Sequence, residues 1–355
     1  MQKISRHMMQ RACAILAIAL WAPLGLAGCG GAAGRHETVT EPSPYDWSKD
    51  YEPFKPGNRL ATAKPNAAFR FEGEAPRMTG AYALYPVYAA AFQALAAEPA
   101  ERPDEYVTLN GSDAIFWWLN NEKSDVIFGL RPAPGQIEAM RKAGLRYTLT
   151  PILREAFVFF VHKDNPATNL TQDQIRAIYS GKAKSWREVG VPLDAKIIPY
   201  QRNKHSGSQT TLERIMGDTP IMEPPQKWEI YKEPNRYDNM LGIITKVGGF
   251  HTRTRLAEYR NKPAAIGFTF RFFANELIRN PNIKLLAIDG VAPTVENIQN
   301  GRYPFITEAY AITARPREGN VAKMIDFLRS PEGRRMIEAT GYTPAPEDAE
   351  DIVLE

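Results

Sequence analysis

Short apolar runs alternate with amphipathic stretches along the chain from about residue 69 onward. Residues 126–128 and 157–161 are uninterrupted apolar runs, which are typical of buried strands. Leu212, Ile215 and Met216 instead recur at helical spacing after a polar loop, which predicts an amphipathic helix. Strands and helices that alternate in this way predict an α/β fold, with mixed sheets flanked by helices.

The length of this alternating region predicts two lobes. It covers about 280 residues, more than one hydrophobic core comfortably holds. We therefore expect two crossing strands, one at residues 157–161 and a return at residues 265–270. The predicted division is a first lobe at residues 67–154 and 269–346, a second lobe at residues 155–268, and a C-terminal tail at residues 347–355.

Three predicted strand-to-helix turns each carry a glycine and a small hydroxyl side chain. They lie at residues 78–81, 110–113 and 199–211. The first amides of a helix have no partner within it, and the helix dipole adds roughly half a positive charge there. Ligands of open α/β sheets lie beyond the carboxyl ends of the strands, so the three turns predict one shared anion site.

The third turn has the strongest local features. Ser206 or Ser208 is a suitable N-cap, and Gly207 lets the backbone approach a ligand closely. Arg202 could offer a planar, permanently charged group to oxygen atoms. Taken alone, the same residues also fit an ordinary serine-capped helix with a solvated arginine.

Five motifs follow one another in the second half of the chain. They are residues 169–182 with Trp186, residues 200–210, Ala264-Ala-Ile-Gly-Phe268, residues 282–293, and Gly341-Tyr-Thr-Pro344. In this order they resemble the phosphate-binding proteins that feed Pst-type ABC importers, and the resemblance extends over residues 69–344. It implies a two-lobed periplasmic binding protein fold of type II, which closes on a dehydrated oxyanion without catalysing a reaction.

The resemblance also implies the residues that bind the ligand. Two turns of the first lobe match the family's binding turns, and an arginine with a hydroxyl–amide cluster matches in the second lobe. With the adjacent Gln209 added, these residues are Thr79, Gly80, Ala81, Ser112, Arg202, Ser206, Gly207, Ser208 and Gln209.

One position departs from the family's pattern. Many members place an aspartate after the strand equivalent to residues 126–129, where it accepts a proton from hydrogen phosphate and so rejects sulfate. This chain has Arg131 in that turn and no carboxylate, so Arg131 and the nearby Asp113 are added to the candidate ligand-binding residues. Asp113 could replace the carboxylate from the neighbouring turn, or could be a capping charge. Phosphate is the expected ligand, and a similar tetrahedral anion is the alternative.

The N-terminus has the features of a lipoprotein signal. Three basic residues precede an apolar run from residue 12 to residue 27, which ends in Leu26-Ala-Gly-Cys29. This resembles the bacterial lipobox, so we expect residues 1–28 to be removed and Cys29 to be lipidated. Residues 29–66 are rich in glycine and proline and predict a flexible tether. Its aromatic residues leave open whether part of it packs on the body.

Charge and motif content argue against several other functions. Without the signal, 41 basic residues face 40 acidic ones, so the pattern predicts no nucleic-acid partner. No pair among the five histidines has a metal-ligand spacing, and no phosphate-cradle motif of NTPases is present. His205 and Ser206 lack the context of a nucleophile elbow. We therefore expect that the protein is not an enzyme and that it binds neither a cofactor nor a metal ion.

These observations predict a lipid-anchored receptor on the extracytoplasmic face of a bacterial cell envelope, facing the periplasm. The resemblance implies that it is monomeric and delivers phosphate to an ABC permease. The alternative is a sensor or envelope scaffold of the same fold. A permease and ATPase encoded beside it would favour transport, and a histidine kinase or secretion genes would favour the alternative.

Overall fold

A computed structural model describes residues 47–112, 114–202, 206–223 and 263–355. Four sequence predictions fall outside these residues: the signal, lipidation at Cys29, the part of the tether before residue 47, and the role of Asp113. Among the described residues, no helix is long and apolar enough to cross a membrane.

Helices and strands alternate through the described residues as the sequence pattern predicts. The α-helices are α1 (Tyr85–Leu95), α2 (Ile115–Asn120), α3 (Pro134–Lys142), α4 (Gln172–Tyr179), α5 (Gly207–Met216), α6 (Val295–Gln299), α7 (Gly319–Arg329) and α8 (Pro331–Thr340). The strands are β1 (Met78–Gly80), β2 (Val107–Leu109), β3 (Val126–Gly129), β4 (Tyr147–His162), β5 (Asn169–Leu170), β6 (Ile198–Pro199), β7 (Ala265–Phe270), β8 (Ile283–Leu285), β9 (Ala287–Ile288), β10 (Ile306–Thr313), β11 (Thr343–Pro344) and β12 (Ile352–Leu354).

Ten of these strands form one mixed sheet, with the central order β2-β1-β3-β10-β4-β7-β6. Strands β1, β2 and β3 are parallel, and so are β6 and β7. Strand β10 runs antiparallel to both β3 and β4. The carboxyl ends of β1, β2 and β3 therefore lie at one edge, where the first two predicted turns begin. This confirms the predicted α/β class with a mixed sheet flanked by helices.

The long strand β4 belongs to two groups of strands. Its first part, to Ala156, pairs with β10, β11 and β12, whereas Phe157 and the residues after it pair with β7 and β8. We call β1, β2, β3, β10 and the first part of β4 the first lobe. The second lobe contains β6, β7, β8 and the second part of β4. The apolar run at residues 157–161 is buried throughout, as expected of a strand covered on both faces.

Among the described residues, the buried apolar side chains form three clusters. One includes Phe92 of α1 and Phe327 of α7, and another on the sheet includes Ile115 of α2. The third surrounds Trp186 and Phe159 of the second lobe. The cluster around Phe92 also takes in Phe160 and Ala265 of the second lobe, so apolar packing continues across the lobe boundary.

Helix caps form at residues whose types favour them. Thr171 and Gln174 form a capping box at the start of α4, with Thr171 Oγ1 accepting from the Gln174 amide at 3.1 Å. Ser330 caps α8, and this helix ends before Gly341. Both caps depend only on residues within one helical turn, which is why the sequence suffices to predict them.

Part of the predicted tether packs on the first lobe. The short helix Trp47–Tyr51 is anchored by Trp47, whose ring lies edge-on to Tyr85 of α1 at 6.3 Å and to Phe273 at 6.4 Å. The Phe54 amide donates to Gln93 Oε1 at 2.7 Å. These contacts answer the question that the aromatic content left open, because they fix residues 47–54 on α1.

Candidate anion-binding site

The first turn follows β1, between two parallel neighbours. A Cβ atom on Gly80 would lie 2.5 Å from Tyr88 Cε1 and 2.8 Å from the Phe128 carbonyl oxygen. Only glycine fits there, because α1 and β3 both approach its backbone. Close packing holds this turn rigidly against the helix that follows it.

The polar groups of this turn are bonded within the sheet. The Thr79 hydroxyl is fully buried, donates to the Thr108 carbonyl oxygen at 3.3 Å and accepts from Asn110 Nδ2 at 3.0 Å. The Ala81 amide donates to the Phe128 carbonyl oxygen at 2.8 Å. An amide has a single hydrogen, so the Ala81 donor is already occupied in this arrangement. The structure therefore places Thr79 and Ala81 as braces of the turn.

The second turn connects β2 to α2 and contains Ser112. The Ser112 carbonyl oxygen accepts from Gln136 Nε2 at 3.0 Å, and Gln136 Oε1 accepts from the Ala133 amide at 2.8 Å. Gln136 thus links this turn to the start of α3. No pattern in the sequence points to Gln136 in this role, since it joins segments that are 24 residues apart.

The third turn connects β6 to α5. Of the two candidate caps, Ser206 is the N-cap, and its Oγ accepts from the Gln209 amide at 3.2 Å. The side chain of Gln209 accepts from the Arg202 amide at 2.9 Å and donates to Gln201 Oε1 at 3.4 Å. Gln209 therefore holds the loop that carries Arg202 against the helix. Buried Ser208 lies in the first turn of α5.

The second and third turns meet across the two lobes. A Cβ atom on Gly207 would lie 2.9 Å from Ser112 Oγ and 3.3 Å from Leu130 Cδ1. The N-terminus of α5 in the second lobe therefore touches two turns of the first lobe. Two turns farther along α5, Arg214 donates to the carbonyl oxygens of Arg131 at 2.7 Å and Pro132 at 3.5 Å.

This meeting point can bind an anion. The first amides of α5 point out of the helix, and serine hydroxyls lie on both sides of the junction. Neutral donors and the positive end of a helix favour a compact oxyanion over a cation. Among the described residues, no group of three or more histidine, cysteine, aspartate or glutamate side chains could hold a metal ion.

The exposed Arg131 side chain lies elsewhere. It lines a cavity of about 420 Å³ whose lining includes Arg154 and Arg214 but neither Ser112 nor Gly207. Sequence reasoning missed Arg154, Arg214 and Leu130, because nothing in the pattern distinguishes them from other surface or core residues.

A buried carboxyl group lies where β4 passes between the lobes. Glu155 is 3% exposed and accepts hydrogen bonds from the amides of Ala156 at 2.8 Å and Phe272 at 3.2 Å. Burial raises the pKa of Glu155 to about 7, although these two amides and the charge of Arg271 act in the opposite direction. The bond from the Phe272 amide connects β4 to the segment that follows β7.

Known proteins resemble this chain in sequence and in fold. The chain is 25% identical over 190 residues to the phosphate-binding protein PstS of Borreliella burgdorferi, a match that takes in 53% of this chain and 62% of that protein. It is also 25% identical over 185 residues to PstS of Bacillus subtilis, covering 52% of this chain and 53% of that protein. The chain thus spans little more than half the length of these curated relatives.

Two solved structures share the fold. One is described as a phosphate ABC transporter substrate-binding protein with bound phosphate from Clostridium perfringens, with a TM-score of 0.54, 22% identity, and coverage of 77% of this chain and 100% of that one. The other is an ABC-type phosphate transport receptor from Vibrio cholerae, with a TM-score of 0.51, 18% identity, and coverage of 76% and 100%. At these identities the likeness shows the fold, which is that of a two-lobed binding protein.

A family model described as the PBP superfamily domain matches residues 72–332, which includes all three turns and both parts of β4. This is a family of periplasmic solute-binding proteins and not of enzymes. The chain therefore belongs to the periplasmic binding protein superfamily.

Proposed function

We propose that this protein is a receptor that binds inorganic phosphate, or a similar tetrahedral oxyanion, between its two lobes. The observation that carries the proposal is the approach of Gly207, at the N-terminus of α5, to Ser112 across the lobe boundary. Relatives named as phosphate-binding proteins support phosphate as the ligand. The lobe boundaries inferred from the sequence, near residues 155 and 268, are part of the same proposal.

Binding in this proposal involves no covalent step. Open lobes admit the hydrated anion, and closure replaces its water with amides of α5, the hydroxyls of Ser112 and Ser206, and the guanidinium of Arg202. A buried charge is tolerated only when it is fully hydrogen-bonded, which explains why donors from both lobes must converge. The braces at Thr79 and Gln209 hold these donors in position before the ligand arrives.

The turn after β3 affects which protonation state binds. It contains Arg131 and no carboxylate, so nothing in this turn requires a proton on the ligand. The dianionic fraction of inorganic phosphate rises between about pH 6 and pH 8, so we expect affinity for phosphate to rise over the same range. Sulfate should then compete, unless Asp113 supplies a proton acceptor.

We further propose that lipidated Cys29 anchors the receptor to a membrane of the cell envelope, on its extracytoplasmic side. There the receptor delivers its ligand to an ABC permease. Support comes from the lipobox-like Leu26-Ala-Gly-Cys29 and from the names of the relatives. Several acyl chains anchor a protein stably where a single one does not. Cys29→Ser should leave the signal uncleaved or release the protein from the membrane fraction, whereas an unacylated mature N-terminus in wild type would contradict the anchor.

The decisive test is calorimetry on protein stripped of bound anions, titrated with phosphate and, separately, with sulfate. We expect heat with phosphate and measurable competition by sulfate. Asp113→Asn separates the two explanations of selectivity: if wild type ignores sulfate and the variant admits it, Asp113 is the discriminating residue. No heat with phosphate, together with clear binding of a sugar or an amino acid, would contradict the proposed ligand.

A further inference from the structure

The arginine-lined cavity that contains Arg131 lies where the two lobes meet. It has a volume of about 420 Å³ and is bounded by β4, β10, α5 and the turn after β3. The polar side chains that line it come from both lobes, namely Arg131, Arg154, Arg214, Thr307, Glu308 and Tyr310. This size is within the range of pockets that hold small molecules and exceeds the need of a single inorganic anion.

The lining has an excess of positive charge. Three arginines face one glutamate, and Glu308 lies opposite Arg154 in the β4–β10 ladder. Within the described ranges, no carboxylate oxygen lies within 4.0 Å of the guanidinium nitrogens of Arg131, Arg154 or Arg214. Glu308 instead accepts from the Tyr310 hydroxyl at 2.9 Å. The three guanidinium groups are therefore not neutralised by carboxylates of these parts of the chain.

Two of these arginines act on each other. Partial burial and the charge of Arg131 both lower the pKa of Arg214. Arg214 is nevertheless fixed close to Arg131, because its guanidinium donates to the Arg131 carbonyl oxygen at 2.7 Å. A backbone contact thus holds two like charges together where an anion would relieve their repulsion.

The cavity is distinct from the junction of Ser112 and Gly207. Arg214 follows Gly207 by seven residues in α5, which corresponds to about 10 Å along the helix axis. None of the residues at the junction lines the cavity. An anion held by the three arginines would thus not occupy the same place as one held by the first amides of α5.

We propose that this cavity is a second anion-binding site, which takes a compact oxyanion with at least two negative charges. Arginine forks match carboxylate and phosphate oxygens in pairs, and three of them carry more positive charge than Arg202, the one arginine proposed for the first site. Arg131 comes from the first lobe, Arg214 from the second, and Arg154 from the strand that joins them. An anion bound by all three stabilises the contact between the lobes.

The test uses pyrophosphate as the probe, titrated into the full-length mature protein in inorganic phosphate at a concentration that fills the first site. Wild type should bind pyrophosphate under these conditions, with affinity that falls as salt is added. Arg131→Gln and Arg154→Gln should each weaken this binding at least about tenfold, since each removes a charged donor. The matched control is Arg335→Gln, which removes the same charge from an arginine that is 66% exposed on α8.

Arg131 is exposed, so its substitution tests the site without disturbing a core. Three results would overturn the proposal. The first is no binding of pyrophosphate to wild type in phosphate. The second is one-for-one displacement of pyrophosphate by phosphate, which would mean a single shared site. The third is equal affinity in Arg131→Gln, Arg154→Gln and Arg335→Gln. None of these results depends on whether phosphate is the natural ligand of the first site.

Discussion

The binding turns of the two lobes use their polar groups differently. In the first lobe, the Thr79 hydroxyl and the Ala81 amide are bonded to neighbouring strands. In the second lobe, Ser206 and Gln209 brace a helix start whose first amides have no partner within the helix. In the proposed site, the first lobe would therefore contribute mainly a rigid, preformed wall, and the second lobe most of the backbone donors. Ser112 is the point of the first lobe that reaches the second.

The largest expected effect comes from Glu155 in β4, the strand that joins the two lobes, and it concerns the pH dependence of stability. In the folded protein the pKa of Glu155 is raised from 4.5 to about 7. Folding therefore favours the protonated form, so its stabilising contribution is complete below about pH 4.5 and is lost as pH rises to about 7. At 1.36 kcal/mol per pKa unit, this loss amounts to about 3 kcal/mol. Urea unfolding of wild type and Glu155→Gln between pH 4.5 and pH 8 would measure it.

Glu155→Gln should lack the pH-dependent contribution of this carboxyl group. The unfolding free energy of wild type should therefore fall relative to that of Glu155→Gln as pH rises from 4.5 to 8. Equal pH profiles would mean that Glu155 is ionised or protonated alike in the folded and unfolded chain. In that case the joint between the lobes would not respond to pH through this residue.

The second-lobe donors should dominate ligand affinity. A hydrogen bond to a charged group is worth about 1.5–3 kcal/mol, so Arg202→Ala should lower phosphate affinity at least about tenfold. The matched control is Arg335→Ala, which should leave calorimetric affinity within about twofold. If Arg202→Ala behaves like this control, the second lobe does not supply the charged donor, and the comparison between the lobes fails.

A substitution in the first-lobe wall should act on stability and not on affinity. Thr79→Val keeps the shape but removes one of the two acceptors of Asn110 Nδ2 and the donor to the Thr108 carbonyl oxygen, which should lower the free energy of unfolding by about 1–2 kcal/mol. Phosphate affinity should change less than about threefold. Denaturant unfolding and calorimetry on the same samples separate the two effects. A large loss of affinity with unchanged stability would show that Thr79 contacts the ligand directly.

The junction itself should give the smallest effect. In Gly207→Ala the new methyl group would meet Ser112 Oγ at 2.9 Å and so oppose closure, which should weaken phosphate binding by about three- to tenfold. Ser112→Gly removes the obstructing atoms. In a double-mutant cycle, Gly207→Ala should cost less affinity in the Ser112→Gly background than in wild type. Strict additivity of the two substitutions would mean that these residues do not touch when the ligand is bound.

The sequence by itself determined the local elements of this protein. It predicted the crossing strand at residues 157–161 and the three strand-to-helix turns, all of which the structure shows. These features depend on apolar periodicity and on side chains within one helical turn of each other. The resemblance to phosphate-binding proteins added the family, which the PBP superfamily match confirmed.

Only the tertiary structure decided which residues meet. The contact of Gly207 with Ser112 joins residues 95 positions apart, and the bond from Ala81 to Phe128 depends on the pairing of β1 with β3. Arg131 drew attention in the sequence as the replacement of a carboxylate, yet its position beside Arg154 and Arg214 depends on how α5 packs against the turn after β3. Contacts of this kind follow from strand order and lobe packing, which bring together segments whose local patterns carry no information about each other.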